Sequence, residues 1–249
     1  ATTHYRDIPG IPQRFDDLRT IMEPPISDPT ELQVHTIISG GQVGADQAGW
    51  EAAVDLGLET GGQMPRGFRT HFGNDPDVGA LYGATEHPSS RDWPPRTREN
   101  VRNSDATIIF TRNLPDEGVW IEGPEIQPGR QLIENDPLRV GAAGIAQVDI
   151  SEGISSDIYD LMSQNSPGSR LTIDLARRAG KPVIVVSGDN PYIRYLIREF
   201  LIDYEIGILN VAGPRGMTNT RQRTQTEFDE SQEYQQTIRE FLNRVFTGE

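Results

Sequence analysis

Residues 35–57, HTIISGGQVGADQAGWEAAVDLG, decide the fold. Apolar residues over 34–38 form a short strand. Gly40 and Gly41 follow at once, and apolar positions Ala45, Ala48, Ala52 and Leu56 then recur at helical spacing until Gly57. A strand that runs through a glycine turn into a helix is the repeating unit of parallel α/β sheets.

The rest of the chain continues the alternation. A short strand is expected over 58–61, a helix over 96–103, and a buried strand over 106–111 (ATIIFT). A helix over 169–179 carries Leu171, Leu175 and Ala176 on one face, and Gly180 leads into a strand over 182–187. Asn190-Pro191 is a strong helix start, with a side-chain cap followed by proline at the first helical position. That helix turns Ile193, Leu196, Ile197, Phe200 and Leu201 inward. A strand over 206–212 and a final helix over about 230–246 complete the pattern. The expected fold is α/β: a doubly wound, mainly parallel sheet of five or more strands with helices on both faces.

Three segments fall outside this pattern. Residues 1–33 are proline-rich and read as an extended arm with one short helix over 15–22. Residues 62–95 read as a long irregular loop. Residues about 112–165 read as an acidic insertion in a single domain spanning 34–249, with a weak strand signal at AQVDI and a helix signal at SDIYDLM.

Composition narrows the function. The 249 residues carry a formal net charge of −14, which argues against nucleic acid as a partner. Only Lys181 is lysine, and the other cations are arginine, as suits either high salt or a GC-rich genome. There is no cysteine, hence no disulfide, thiolate metal site or cysteine nucleophile. The four histidines show no metal-binding spacing. No run of 18 apolar residues and no leader pattern is present, so no membrane partner and a cytoplasmic location are expected. The charge is uneven: 166–223 holds nine cationic and five acidic residues, while 112–165 holds three and ten. A net-positive segment beside glycine turns suits a small anion.

Candidate ligand-binding residues gather in four stretches. In SGGQVGAD, Gly40 and Gly41 let a ligand approach the backbone, and the helix beginning near Val43 and Gly44 offers its first N–H groups and dipole to a phosphate. Ser39, Gln42 and Asp46 add side-chain hydrogen bonds there. In NSPGSRLT, Gly168, Ser169 and Thr172 open a second helix, so two helix N-termini on one sheet edge could grip an elongated anion. In LNVAGPRG, Gly213 turns the chain and Arg215 can reach a phosphate. In RTRENVRN, Arg96, Thr97 and Asn100 sit on a helix, with Arg96 and Asn100 on one face; Asn100 either binds a ligand edge or bridges backbone. Neither G-x-x-x-x-G-K-[ST] nor G-x-G-x-x-G is present, so neither a P-loop nor a standard dinucleotide fingerprint is indicated.

Taken in order, IISGGQVGAD, GGQMPRG, RTRENVRNSDATIIF, GSRLTIDLARRAGKPVIVV and LNVAGPRG resemble the molybdenum carrier and molybdenum-cofactor carrier proteins. These belong to a Rossmann-like superfamily shared with the cytokinin-activating, lysine-decarboxylase-like proteins. One turn departs from the pattern, reading Gly168-Ser169-Arg170 where the family has Gly-Gly-Thr. The resemblance implies a Rossmann-like domain that binds without catalysis. Its ligand would be the molybdenum cofactor (molybdopterin) or another phosphate-bearing anion, with the metal held by the pterin's own dithiolene. It also implies a homo-oligomer, dimer or tetramer. Two alternatives come with the superfamily: binding of a nucleotide or an NAD-derived signal, and nucleotide phosphoribohydrolase activity. The hydrolases carry P-G-G-x-G-T-x-x-E, and Leu175 stands at the acidic position, with Asp174 beside it but turned about 100° away on a helix.

Overall fold

A computed structural model of the chain describes residues 28–88, 93–112, 114, 117–124, 154, 156–165, 167–218 and 221–249. Most of the N-terminal arm, and the strand signal at AQVDI, lie outside the described residues.

The central sheet has six strands in the order β2-β1-β10-β7-β9-β8. Its members are β1 (Thr36–Ser39), β2 (Glu59–Gly61), β7 (Ala106–Thr111), β8 (Gly118–Glu122), β9 (Val183–Ser187) and β10 (Ile208–Ala212). All neighbours run parallel except β8, which pairs antiparallel with β9. The four long expected strands are present within two residues at each end. β8 was not expected: the stretch GVWIE lies inside the segment read as an insertion, yet it forms the edge of the main sheet. Glu122 at its end accepts two hydrogen bonds from Arg177, at 2.5 and 2.9 Å, which ties this edge to the helix layer.

Helices cover both faces. α1 (Ala45–Asp55), α6 (Pro191–Asp203) and α7 (Gln225–Thr247) pack on one; α3 (Trp93–Asn103), α4 (Ser156–Asn165) and α5 (Pro167–Ala179) pack on the other. The period-2 alternation of strands assigns the residues. In β7, Ile108 and Phe110 face the first core and Ile109 the second; in β9, Ile184 and Val186 face the first and Val183 and Val185 the second. Strands buried on both faces read as continuous apolar runs, as these do. As expected, the Asn190 side chain caps α6 by accepting from Ile193 N–H at 3.0 Å.

The segment over 62–88 is not the irregular loop expected. It contains β3 (Gln63–Met64) parallel to β6 (Thr85–Glu86), a hairpin of β4 (Arg69–Thr70) and β5 (Gly73–Asn74), and the short helix α2 (Pro76–Leu81). A satellite core holds it down. Fully buried Trp50 stacks on Tyr82 with ring centroids 4.9 Å apart, packs on Met64, and donates from Nε1 to the Gly61 carbonyl at 2.8 Å.

α1 approaches β10 closely because Gly49 lacks a side chain: a Cβ there would lie 2.7 Å from Val211 Cβ. Alanine at 49 would gain about 1 kcal/mol of helix propensity, but overpacking against a strand in mid-sheet costs about 1–3 kcal/mol. The second effect should win. Gly49→Ala is expected to lower the urea midpoint, and Gly49→Ala with Val211→Ala to recover part of the loss. A higher midpoint for the single variant would mean that the helix shifts freely.

Candidate functional site

The crevice at the carboxyl ends of β1 and β10, where strand order turns outward from β1 in both directions, is where an open α/β sheet binds ligands. A cavity of about 370 Å³ opens there. Of the sequence-derived candidates, Gly40, Gln42, Asp46, Arg96, Thr97, Asn100, Gly168, Ser169, Thr172, Gly213 and Arg215 line it. Ser39, Gly41, Val43 and Gly44 do not; they build the turn behind it.

The expectation that the first N–H groups of α1 stand free for a phosphate does not hold. Gly41 N–H donates to Ser39 Oγ (3.1 Å), Gln42 N–H to Asp46 Oδ2 (3.2 Å) and Val43 N–H to the Gln42 side-chain carbonyl (3.1 Å). Gly44 N–H donates to Gln235 Oε1 (3.1 Å) and Ala45 N–H to the Pro214 carbonyl (3.1 Å). The turn is closed by its own side chains and by the turn after β10.

The anion at this turn is Asp46. Its carboxylate is buried, accepts from Gln42 and Gly213 N–H groups, and pairs with Arg96 Nη1 at 3.3 Å. Burial pushes its pKa up; the Arg96 charge and the two backbone donors draw it part of the way back. Gly40 is glycine for the same reason. A Cβ there would lie 1.2 Å from Arg96 Nη1, so the guanidinium, not a ligand, occupies the side-chain space. Gly41 has φ +71°, and a Cβ would meet the Met64 side chain at 2.7 Å, so valine at 41 would strain the fold and not only the site.

Asn100 takes the backbone-bridging alternative. Its Oδ1 accepts from Gln63 N–H at 2.7 Å and its Nδ2 donates to the Gln63 carbonyl at 3.0 Å, so it clamps β3 to α3. Gln42 likewise acts as a staple, because its Oε1 also accepts from His71 N–H at 2.8 Å.

The second helix start differs. At Gly168 a Cβ would meet nothing within 4 Å among the described residues, and Gly168 itself is exposed on the cavity wall. The first N–H groups of a helix have no intrahelical acceptor. Ser169 is buried beside it, and the Thr172 hydroxyl donates back to the Gly168 carbonyl at 3.0 Å. Opposite stands Arg215. Burial lowers its pKa, and no carboxylate offsets that effect among the described residues. Its Nη1 donates instead to His71 Nδ1 at 2.8 Å.

The sequence reading missed Leu171, Asn210, Val211, Ala212 and Pro214 among the lining residues, and His71 behind them. Asn210 lines the cavity from mid-strand β10, bonded through Nδ2 to Thr107 Oγ1 at 3.1 Å; an amide within the apolar run ILNVA was the available signal. His71, one histidine in a glycine-rich stretch, gave no pattern.

Residues 37–122 and 154–233 match the model of the circularly permutated YpsA SLOG family, and the chain belongs to that family. The crystal structure of a "Putative molybdenum carrier protein" from Syntrophus aciditrophicus SB is 23% identical, with 86% of this chain and 96% of that one covered and a TM-score of 0.54. That likeness shows the shared α/β fold. Among curated proteins none matches.

Removing the Asp46 charge takes the partner of this pair away from the half-buried Arg96 guanidinium, and breaking a buried ion pair at one end typically costs about 3 kcal/mol. Asp46→Asn is therefore expected to destabilise the protein by about 3 kcal/mol in urea unfolding, and Asp46→Asn with Arg96→Gln to destabilise it less than the single change does. Equal losses would mean that the pair contributes no mutual stabilisation.

Proposed function

We propose that the protein is a non-catalytic carrier that binds a phosphate-bearing small molecule in the cavity between the turns, and that its cargo is the molybdenum cofactor. Arg215 carries this reading. It is a half-buried guanidinium facing a cavity in a protein of net charge −14, and no carboxylate forms a salt bridge with it among the described residues. A cation taken partly out of water without a counter-charge is costly, and an anionic ligand supplies one.

The donor set suits a terminal phosphate: Arg215 on one wall, and on the other the start of α5 at Gly168, where the helix dipole favours an anion. The volume lies near the lower end of small-molecule sites, which suits one heterocycle with one phosphate better than a dinucleotide. The name of the Syntrophus relative points the same way.

The placement of α5 favours binding over hydrolysis. Leu175 packs in the core with Val101 and Ile173. Asp174 accepts from the Tyr159 hydroxyl at 2.7 Å and is not among the cavity-lining residues. No acid on α5 is thus available for attack on a glycosidic bond.

Purified protein analysed by mass spectrometry and metal analysis is expected to release a phosphate-bearing pterin with molybdenum. Release of a nucleotide instead would transfer the reading to nucleotide binding. Two charge-assisted hydrogen bonds at about 1.5–3 kcal/mol each set the scale for Arg215. Arg215→Ala is expected to lower affinity at least about tenfold while leaving the urea midpoint unchanged. Retained affinity would place the anion elsewhere.

A further inference from the structure

His71 stands behind Arg215, where it lines neither the cavity nor a surface. It sits at the tip of the β4–β5 hairpin and is 7% exposed. Three bonds fix it. Its backbone N–H donates to Gln42 Oε1 at 2.8 Å, its Nε2 lies 2.7 Å from the Gln222 carbonyl, and its Nδ1 lies 2.8 Å from Arg215 Nη1. A carbonyl only accepts, so the ring proton is assigned to Nε2. In the neutral ring Nδ1 is then an acceptor, and it takes a proton from the guanidinium. The ring is also wedged in place, edge-on to Phe72, which in turn packs edge-on to Phe228 at the start of α7.

We infer that His71 is a positioning residue that aims Arg215 at the ligand's anionic group, and that protonation of His71 undoes this, so that cargo is released as the pH falls. The inference rests on the anion-binding reading of the cavity. One guanidinium N–H held by Nδ1 orients the planar fork and leaves its other donors for the cavity. A proton on Nδ1 would set a donor against a donor and a cation against a cation at the same 2.8 Å.

The charged groups facing His71 are Arg215, Arg223 and Glu227. Burial, then the two guanidiniums, hold the imidazole below its usual pKa, against the Gln222 carbonyl and Glu227, which raise it. The sign follows. At neutral pH and above, the ring is neutral and Arg215 is held. Arg215 is let go as the pH falls through the lowered histidine pKa. General electrostatics predicts the reverse, since an acidic protein becomes less repulsive to an anion on acidification.

Sulfate is the probe, because it stays a dianion over the whole range and contributes no titration of its own. Calorimetry on the full chain is run at about pH 7.5 and at a lower pH where NMR shows the His71 ring protonated, so that the two conditions bracket its transition. Wild type should lose about tenfold in sulfate affinity at the lower pH. His71→Gln keeps an acceptor and a donor but does not titrate, so it should bind within about twofold of wild type at the higher pH and show no loss at the lower. His71→Ala should be weak at both. A urea midpoint for each protein at each pH excludes unfolding as the cause. If Arg215→Ala abolishes sulfate binding but wild type binds as well or better at the lower pH, the His71 assignment is overturned and the anion site stands. If wild type takes up no sulfate at the higher pH, the anion site and the His71 assignment fall together.

Discussion

A carboxylate taken out of water must be surrounded by donors, and Asp46 draws the whole site around itself to meet that need. It accepts from Gln42 in the turn after β1 and from Gly213 in the turn after β10, and it pairs with Arg96 from α3 across the cavity mouth. Three segments distant in sequence thus meet at one pair of oxygens. The small residues around them follow. Gly40 leaves room for the guanidinium, and Gly44 and Gly213 let two turns touch, since a Cβ at 44 would lie 2.5 Å from the Pro214 carbonyl and one at 213 would lie 2.7 Å from Ala45. The helix start that could have cradled an external anion has instead internalised one.

That choice divides the cavity electrically. The α1 side is neutralised by the Asp46–Arg96 pair, so its dipole and donors are used within the protein. On the Arg215 and α5 side no carboxylate among the described residues offsets the guanidinium, inside a molecule of net charge −14. An anion approaching from solvent meets long-range repulsion, but physiological salt screens that over about 8 Å. Direct hydrogen bonds to the half-buried Arg215 guanidinium act inside that distance. Selectivity for an anion can therefore coexist with an acidic surface.

Much of the fold was legible because long elements carry periodicity. ATIIFT and PVIVVS are continuous apolar runs, as parallel strands buried on two faces must be, and the α6 pattern with its Asn-Pro start has few other solutions. β8 was illegible for a local reason: its five residues lie among acidic and glycine-rich sequence, and only pairing with β9 makes them a strand. The 62–88 region was illegible for a tertiary one. Strands of two residues have no period to detect, and what orders them is Trp50, a residue of α1 that looks from the sequence like an oversized member of an alanine-rich helix. The candidate site was legible in membership but not in wiring. Gln42, Asp46, Arg96 and Asn100 reach the cavity as expected, yet most of their polar atoms are bonded to one another or to backbone. Sequence spacing can assemble donors and acceptors; it cannot say which will be consumed internally.

Glycine illustrates why that distinction matters for reading function. A glycine after a strand is taken as an opening for a ligand, because a missing Cβ permits close approach to the backbone. The approaching group need not be a ligand. At Gly40 it is Arg96, at Gly41 it is Met64, at Gly44 it is Pro214 and Arg215, and at Gly213 it is Ala45 and Phe110. Each of these vacancies is filled by the protein. At Gly168 none of the described residues fills the space. The turn Gly168-Ser169-Arg170 lines the same cavity as Arg215, whose guanidinium is held by His71 and forms no salt bridge among the described residues. Where a glycine's side-chain space is already occupied, the residue serves assembly. Where that space is empty among the described residues and opens on a cavity that a cation also lines, the protein leaves room for another molecule, and Gly168 meets that condition.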